Sequence, residues 1–281
     1  LRVFVLFSGS CSSGIGLVQG LKHKKTYEIV GAGTNNPEAP GIEGLRELGI
    51  DVLAPFSYEQ FCSRHGLRPG KRANTEYHEA WLRKIEPLNP DVIALSGYMK
   101  IVPAEFLEHY PDTKNVHPMA LHYLARRPQE GSNRIVYEGL LDVGYMDPAD
   151  VARLAAENNL ERVFKGESAV FDALVFGHGA VRELRSTVHR ATIPYDEGPI
   201  EVESASIQID EEKVRVALKN RNWRVLMEYA GQLQDNLKTA GDVPAFRKAI
   251  ELTAEGRLAH RDGAVYIDDQ RQSYSGLQLF E

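Results

Sequence analysis

Short apolar runs alternate with helical patterns along the N-terminal part of this 281-residue chain. Three runs rich in Val, Ile and Leu are interpreted as buried strands: 3–7, 29–33 and 92–95. Helical spacing is found in the segments between them: 14–21, 41–48 and 75–85. This alternation predicts parallel strands joined by right-handed helical crossovers, because such connections return each strand to one sheet that is covered on both faces.

The predicted fold class is therefore α/β, with a three-layer, Rossmann-like architecture in which a mostly parallel sheet carries helices on both faces. In such sheets the carboxyl ends of the strands form the edge at which ligands bind. We expect the whole chain, 1–281, to form a single domain.

Two further segments are expected beyond this core. A helical insertion is predicted at about 119–168, with a turn at 128–132 and a helix at 148–158, and another helix follows at 169–176. The segment 211–281 is predicted to close the fold with helices and a hairpin. Its elements are helices at 211–234 and 243–255, and a hairpin that turns at Asp262 and Gly263.

A polar triplet, Asn115-Val116-His117, follows an apolar run and is ended by Pro118. Side chains two residues apart in a strand point to the same side, so the amide and the imidazole are expected to face one pocket. That is the arrangement of an oxyanion donor beside a general acid or base. By itself the triplet also fits two polar residues at a strand end.

A second segment, 186–189, is β-branched, and it is followed by Asp196 and a Gly-Pro break. A carboxylate at such a strand end often contacts a histidine. We therefore expect Asp196 to fix the orientation of the His117 ring and to raise its pKa. His189 is interpreted as a structural residue that holds the loop bearing Asp196.

A glycine-rich loop, 8–16, follows the first predicted strand and opens a helix. Backbone N–H groups at a helix start bind phosphate, and the loop lacks the Lys of a nucleotide-hydrolysing P-loop. We therefore predict a site for a phosphate monoester, although a turn that only reverses the chain has the same composition. The candidate phosphate-binding residues are Gly9, Ser10, Cys11, Ser12 and Ser13. The Cys11 side chain is interpreted as packing.

These segments, together with the run 91–99 and the tail at 254–258 and 266–268, resemble the formyltransferases that use 10-formyltetrahydrofolate. The likeness spans nearly the whole chain and is greatest to members that formylate glycinamide ribonucleotide (GAR) in purine synthesis. The glycine-rich loop departs from the usual form, with Cys11 where glycine is common and Ser13 where asparagine is common.

The resemblance implies that a formyl group moves from 10-formyltetrahydrofolate, a co-substrate, to the primary amine of GAR. Asn115 is implied to stabilise the tetrahedral oxyanion, His117 to manage protons with Asp196, and the loop to hold the ribose phosphate. Glu228 or Asp242 is implied to contact the ribose. No covalent intermediate and no metal are needed. The implied folate-binding residues are Met99, Lys100, Ile101 and Val102.

Two alternatives stay open. A formyltransferase for another amine, such as an amino sugar nucleotide, is one, because the stretch 119–123 lacks the Leu-Pro and Arg-Gly elements of many relatives. The hydrolytic relative, formyltetrahydrofolate deformylase, is the other. The acceptor amine, the role of the insertion and the choice of acidic residue at the ribose are not settled by these residues.

Composition limits the classes of partner. The formal charge of −6 disfavours a dedicated nucleic-acid binder, and no apolar stretch approaches the length of a bilayer span. We expect a cytoplasmic enzyme with small-molecule partners and no membrane or nucleic-acid partner. Two cysteines provide neither a disulfide framework nor a metal motif. A homodimer is compatible with the sequence, which leaves the oligomeric state open.

Overall fold

The computed structural model describes residues 1–21, 25–53, 55–126 and 139–280, and the chain forms two compact units. The first unit comprises Leu1–Val116, Arg190–Gly198 and Thr253–Glu255, and the second comprises His117–His189, Pro199–Leu252 and Gly256–Glu281. The expectation of a single domain stays a prediction. The turn expected at 128–132 lies outside the described residues.

The first unit is built on parallel strands with intervening helices. Its elements are β1 (Arg2–Phe7), α1 (Ser12–Gly20), β2 (Glu28–Thr34), α2 (Gly41–Glu47), α3 (Tyr58–His65), α4 (Lys71–Ile85), β3 (Val92–Ser96), α5 (Ala104–His109) and β4 (Thr113–His117), whose last residue begins the second unit. The three helices predicted from spacing are confirmed within a few residues as α1, α2 and α4. Sequence analysis missed α3 and α5.

The strands of this unit lie in the order β2-β1-β3-β4, and all neighbours are parallel. Alternate residues of β1 face opposite sides, because a strand has a period of two. Phe4 and Leu6 join a buried cluster with residues of α3, α4 and α5, while Val5 packs against α1 at Gly14. Helices therefore cover both faces, which confirms the predicted α/β class with a mostly parallel sheet.

The second unit contains smaller sheets and most of the C-terminal helices. Its elements are β5 (Tyr123–Arg126), β6 (Leu141–Asp142), α6 (Pro148–Asn158), β7 (Leu160–Arg162), α7 (Ala169–Phe176), β8 (Glu183–Leu184), β9 (Thr187–Arg190), β10 (Ile200–Glu203), β11 (Ile207–Gln208), α8 (Glu211–Lys219), α9 (Trp223–Leu237), α10 (Val243–Ala254), β12 (Leu258–Arg261), β13 (Ala264–Ile267), β14 (Gln270–Arg271) and β15 (Leu277–Gln278). The helices predicted at 148–158 and 169–176 are confirmed as α6 and α7.

Within this unit, β10 pairs antiparallel with β9 and parallel with β15. The predicted insertion forms a small sheet in the order β6-β5-β7, and β12, β13 and β14 form another. The hairpin predicted at Asp262 and Gly263 is confirmed, and both residues have positive φ, as a type I′ turn requires. None of the described helices is both long enough and apolar enough to cross a lipid bilayer.

The single helix predicted over 211–234 is wrong, because the chain breaks between α8 and α9. Arg221 adopts a left-handed conformation with φ 51°, which ends α8. The side chain of Asn222 then accepts a hydrogen bond from the backbone N–H of Val225 at 3.3 Å and starts a new helix.

Candidate active site

Three neighbouring strands of the first unit end at one edge of its sheet. Phe7 of β1 is in register with Ser96 of β3, and Leu95 of β3 is in register with Asn115 of β4. Because these strands are parallel, the glycine-rich loop, the segment after β3 and Asn115 all lie at this carboxyl-terminal edge.

Ser8 links the first two of these segments. Its backbone N–H donates to the Gly97 carbonyl at 3.2 Å, and its hydroxyl accepts from the Met99 backbone N–H at 2.8 Å. The same hydroxyl donates to Oδ1 of Asn35 at 2.5 Å, while the Asn36 side chain donates to the Ser8 carbonyl at 3.2 Å. Sequence analysis missed this network, because a serine after a strand has no spacing pattern that marks it.

The Cys11 side chain points into the protein. A Cβ built on Gly14 would lie 2.5 Å from Cys11 Sγ, so the thiol fills the space that this glycine leaves. Burial raises the pKa of the Cys11 thiol to about 12, which keeps it protonated and unreactive. The backbone of Cys11 is left-handed, with φ 54°, at the residue that precedes α1. The residue therefore has a packing role, and it can offer a ligand only its backbone N–H.

Ser13 also faces inward, where its hydroxyl lies 2.6 Å from the Ser96 hydroxyl. Ser96 in turn accepts a hydrogen bond from the Gly14 backbone N–H at 3.0 Å. Within the described part of the chain, the backbone N–H groups of residues 10–13 make no hydrogen bond to protein. These donors lie at the start of α1, where the helix dipole also favours an anion.

The segment after β3 differs from residue to residue in exposure. Met99 and Ile101 are about half exposed, whereas Val102 is buried in the core cluster of the first unit. Lys100 lies over the ring of Tyr58, 4.7 Å from its centroid, and its Nζ is 3.3 Å from Oε1 of Glu59. The exposed apolar surface of this segment therefore comes from Met99 and Ile101.

Asn115 and Asp196 are brought together although they are far apart in sequence. The Asn115 amide nitrogen donates to Oδ1 of Asp196 at 3.4 Å. Asp196 is buried and left-handed, with φ 57°, a conformation that aspartate tolerates better than most residues. The carboxylate thus orients the amide at the edge of the sheet.

The loop that carries Asp196 is held by backbone contacts. The Ala191 backbone N–H donates to the Thr113 carbonyl at 2.7 Å, which ties the loop to the start of β4. At the other end of the loop, a Cβ built on Gly198 would lie 1.8 Å from the Arg190 carbonyl oxygen. Only glycine permits this approach, so the Gly-Pro break seen in the sequence sets the position of Asp196.

His117 is buried at the end of β4 and begins the second unit. Its Nε2 lies 2.9 Å from the Phe164 carbonyl oxygen. A carbonyl can only accept, so Nε2 carries a hydrogen and the ring orientation is fixed. No sequence signal could have identified this partner, because every residue has a backbone carbonyl. The expected interaction of His117 with Asp196 stays a prediction.

Three other residues named from the sequence lie in the second unit. His189 is buried in β9 and pairs with Ile200 of β10, in keeping with a structural role. Glu228 lies on the exposed side of α9. Asp242 is buried and accepts a hydrogen bond from the Ser186 hydroxyl, and burial raises its pKa to about 6.

Comparison with known proteins adds two sequence findings. Residues 1–122 match the family model described as Formyl transferase. A stretch of 123 residues is 28% identical to the phosphoribosylglycinamide formyltransferase of Escherichia coli (strain K12), and it covers 43% of this chain and 53% of that relative. The chain thus matches about half the length of this curated relative.

The fold is also similar to solved structures. One is the phosphoribosylglycinamide formyltransferase of Coxiella burnetii, in complex with CHES, with a TM-score of 0.63 and 18% identity over 100% of this chain and 99% of that chain. Another is a formyltetrahydrofolate deformylase from Pseudomonas putida KT2440, with a TM-score of 0.57 and 13% identity over 95% of this chain and 69% of that chain. At such identities the likeness shows a shared fold, and the reaction must be argued from the site.

Proposed function

We propose that this protein transfers a formyl group from 10-formyltetrahydrofolate to the amine of a phosphorylated small molecule, with glycinamide ribonucleotide as the foremost acceptor; the match of residues 1–122 to the formyl transferase model supports this proposal. The observation that carries the proposal is the Asn115–Asp196 hydrogen bond, which lies at the same carboxyl-terminal edge of the sheet as the glycine-rich loop. An anion site and an oriented amide at one edge suit acyl transfer to a phosphorylated amine.

Formyl transfer between nitrogens passes through a tetrahedral carbon, on which negative charge develops at oxygen. An amide NH₂ group has two hydrogens, and in our proposal Asp196 accepts one of them while the other is directed at this oxygen. A donor that is already oriented stabilises the transition state without reorganisation. Asp196 is therefore assigned a positioning role towards Asn115.

His117 is assigned the proton transfers, which are the loss of a proton from the attacking amine and protonation of the departing folate nitrogen. The Phe164 carbonyl supports this assignment, because it fixes the tautomer and the ring plane. The Cys11 thiol takes no part, since a protonated, buried thiol is not a nucleophile. The reaction then proceeds by direct attack of the acceptor amine.

The two substrates are assigned to different segments of the first unit. The backbone N–H groups of residues 10–13 would bind the acceptor phosphate, and the exposed side chains of Met99 and Ile101 would contact the pterin ring. The inward orientation of Cys11 and Ser13 supports phosphate binding by the loop backbone, because neither side chain is directed at the ligand.

The test is a spectrophotometric assay for the folate product with glycinamide ribonucleotide, a panel of amino sugar nucleotides and no acceptor. Asn115→Ala is expected to lower kcat by on the order of a hundredfold to a thousandfold. Asp196→Asn removes the carboxylate that orients the Asn115 amide and is also expected to lower kcat. Asp235→Asn, at an exposed carboxylate on α9, is the matched control and should leave kcat unchanged. Turnover of another amine alone would refute the assigned acceptor, and product formation without any acceptor would indicate deformylation.

The phosphate assignment has its own test at Ser10, which is exposed. Ser10→Asp places a negative charge beside the loop donors and is expected to raise KM for the phosphorylated acceptor without raising KM for the folate. Ser10→Ala is the control, because it removes the hydroxyl and keeps the backbone donors. An equal rise in both KM values would contradict the assignment.

A further inference from the structure

Helix α9 of the second unit exposes an apolar stripe. Trp223 is 49% exposed and Met227 is 65% exposed, and Gly231 continues the stripe one helical turn further along. These residues are four apart, so they lie on one face of the helix. The buried face, which includes Leu226 and Leu233, is centred about 100° round the helix from the stripe and packs in the core of this unit. The stripe therefore lies beside the buried face and is made of different residues.

The presence of glycine at position 231 is not explained by the local structure. It lies inside an exposed helix, where glycine is less favourable than alanine, and a Cβ built there would meet no atom within 4 Å. Among the described residues of this unit, no neighbouring atom requires a glycine at this position. A glycine does, however, leave a depression on a helix surface into which a large side chain of another helix can pack.

We propose that α9 pairs with α9 of a second copy of this chain, antiparallel and about a two-fold axis at Met227. A helix rises about 1.5 Å per residue, so Trp223 and Gly231 lie about 6 Å on either side of Met227. Reversal of one helix then places Trp223 of each copy over Gly231 of the other. The largest and the smallest residue of the stripe are thus matched twice, as an isologous interface requires.

The charges beside the stripe fit the same axis. Arg224 and Glu228 lie on one side of it, and within the chain their Nε–Oε1 distance is 3.7 Å. In the antiparallel pair, the two-fold rotation places the charged side of one helix next to the charged side of the other. Arg224 of one copy and Glu228 of the other are then separated by only about 3 Å along the helix axis. Opposite charges therefore meet across the interface twice, which favours a second copy over an unrelated partner.

The expected complex is weak. A single pair of helices buries less than the roughly 1,200 Å² of stable interfaces, so association should be reversible and concentration-dependent. Sedimentation velocity over about two decades of protein concentration measures it directly. Trp223→Ala is expected to raise the dissociation constant about tenfold or more, because a central tryptophan contributes strongly to binding.

Gly231→Leu separates folding from association. The site has open space and leucine favours helix, so the variant should fold at least as well as the wild type while the occupied depression weakens the dimer. The matched control is Tyr145→Ala, which removes an exposed aromatic side chain elsewhere in this unit. The control should dimerise like the wild type.

Charge exchange tests the register of the two helices. The Arg224→Glu variant is acidic at both charged positions, and the Glu228→Arg variant is basic at both. Each variant alone brings like charges together across the interface, so it should dimerise less than the wild type at low salt. An equimolar mixture should recover dimers, because each acidic pair then faces a basic pair. A monomeric wild type, a dimer unaffected by Gly231→Leu, or a mixture without recovery would each overturn the proposal.

Discussion

The substitution His122→Leu should expose the cost of a buried charge in the second unit. His122 Nδ1 lies 2.8 Å from Oε1 of Glu203, whose side chain is fully buried. The other carboxylate oxygen of Glu203 accepts from the Gln278 side chain at 3.2 Å. Removal of His122 leaves a buried carboxylate with that amide as a remaining partner. Loss of one member of a buried pair costs about 3–5 kcal/mol, and we expect the free energy of unfolding to fall by this amount at pH 5.5.

The loss of stability caused by His122→Leu should decrease as the pH rises. Burial by itself lowers the pKa of His122, but attraction to Glu203 and to Asp142 outweighs burial, and the net pKa is raised. Asp142 contributes from the opposite side of the ring, with its Oδ1 3.6 Å from Nε2. A raised pKa in the folded state gives stabilisation that is full below the unfolded pKa, about 6.5, and is lost as the pH rises through the folded pKa. The difference between wild type and variant should therefore narrow at alkaline pH.

Urea denaturation followed by circular dichroism at a series of pH values measures both effects. His178→Leu is the matched control at an exposed histidine and should be close to neutral. Replacement of both His122 and Glu203 by leucine should recover much of the loss, because no charge is then left buried. A loss below about 1 kcal/mol for His122→Leu at pH 5.5, or a loss that does not change with pH, would refute the reasoning.

Three further predictions concern single sites. Gly198→Ala should destabilise the protein by at least about 3 kcal/mol and abolish transfer, because the new Cβ would lie 1.8 Å from the Arg190 carbonyl; thermal denaturation and the transfer assay check this. Asp242→Asn should raise the free energy of unfolding by about 1–3 kcal/mol at pH 8 and not at pH 4. Burial raises the pKa of this carboxyl to about 6, so its charged form, present at pH 8, is the unfavourable one in the folded protein. Urea titrations at both pH values measure the difference. The Cys11 thiol should not react with a thiol reagent at pH 8 until the protein is unfolded, and rapid labelling of the native protein would contradict its burial.

The parallel strands were predictable because burial on both faces demands a run of apolar residues. β3 is buried at every position, and its sequence Val92–Ser96 contains almost only apolar residues. The location of the candidate site at the carboxyl-terminal edge of the sheet was predictable from the alternation of strands and helices. Helix α3 was also legible in principle, since the Ser57 hydroxyl accepts from the Gln60 backbone N–H at 3.0 Å and Gly66 ends the helix with φ 63°.

The break between α8 and α9 was hidden by periodicity. Val214 and Leu218 of α8 and Val225 of α9, which all contact the core cluster of this unit, are four and seven residues apart, as on one face of a continuous helix. A short break changes the direction of the chain without interrupting such a pattern, so a window of hydrophobicity cannot detect it. The informative residue was Asn222, because asparagine is favoured as an N-terminal cap.

The candidate site divides between features that side chains specify and features that the backbone specifies. Asn115 and Asp196 could be selected from residue type and motif, and the structure joins them by a hydrogen bond. The Phe164 carbonyl and the N–H groups of the loop could not be selected in this way, because main-chain donors and acceptors are the same at every residue. Their placement depends on backbone conformation, such as the left-handed φ of 60° at Phe164.

The glycine-rich loop departs at two positions, Cys11 and Ser13, from the pattern of the formyltransferases that the sequence resembles. Both side chains point inward, towards Gly14 and Ser96, so their identities affect how the loop packs and do not remove the backbone N–H groups of residues 10–13. An anion that binds through those groups does not contact either side chain. A different acceptor would therefore be distinguished by contacts to its non-phosphate part. Residues beyond the loop would then determine acceptor specificity, and the segment predicted to be an insertion, at 119–168, is one place to test by substitution.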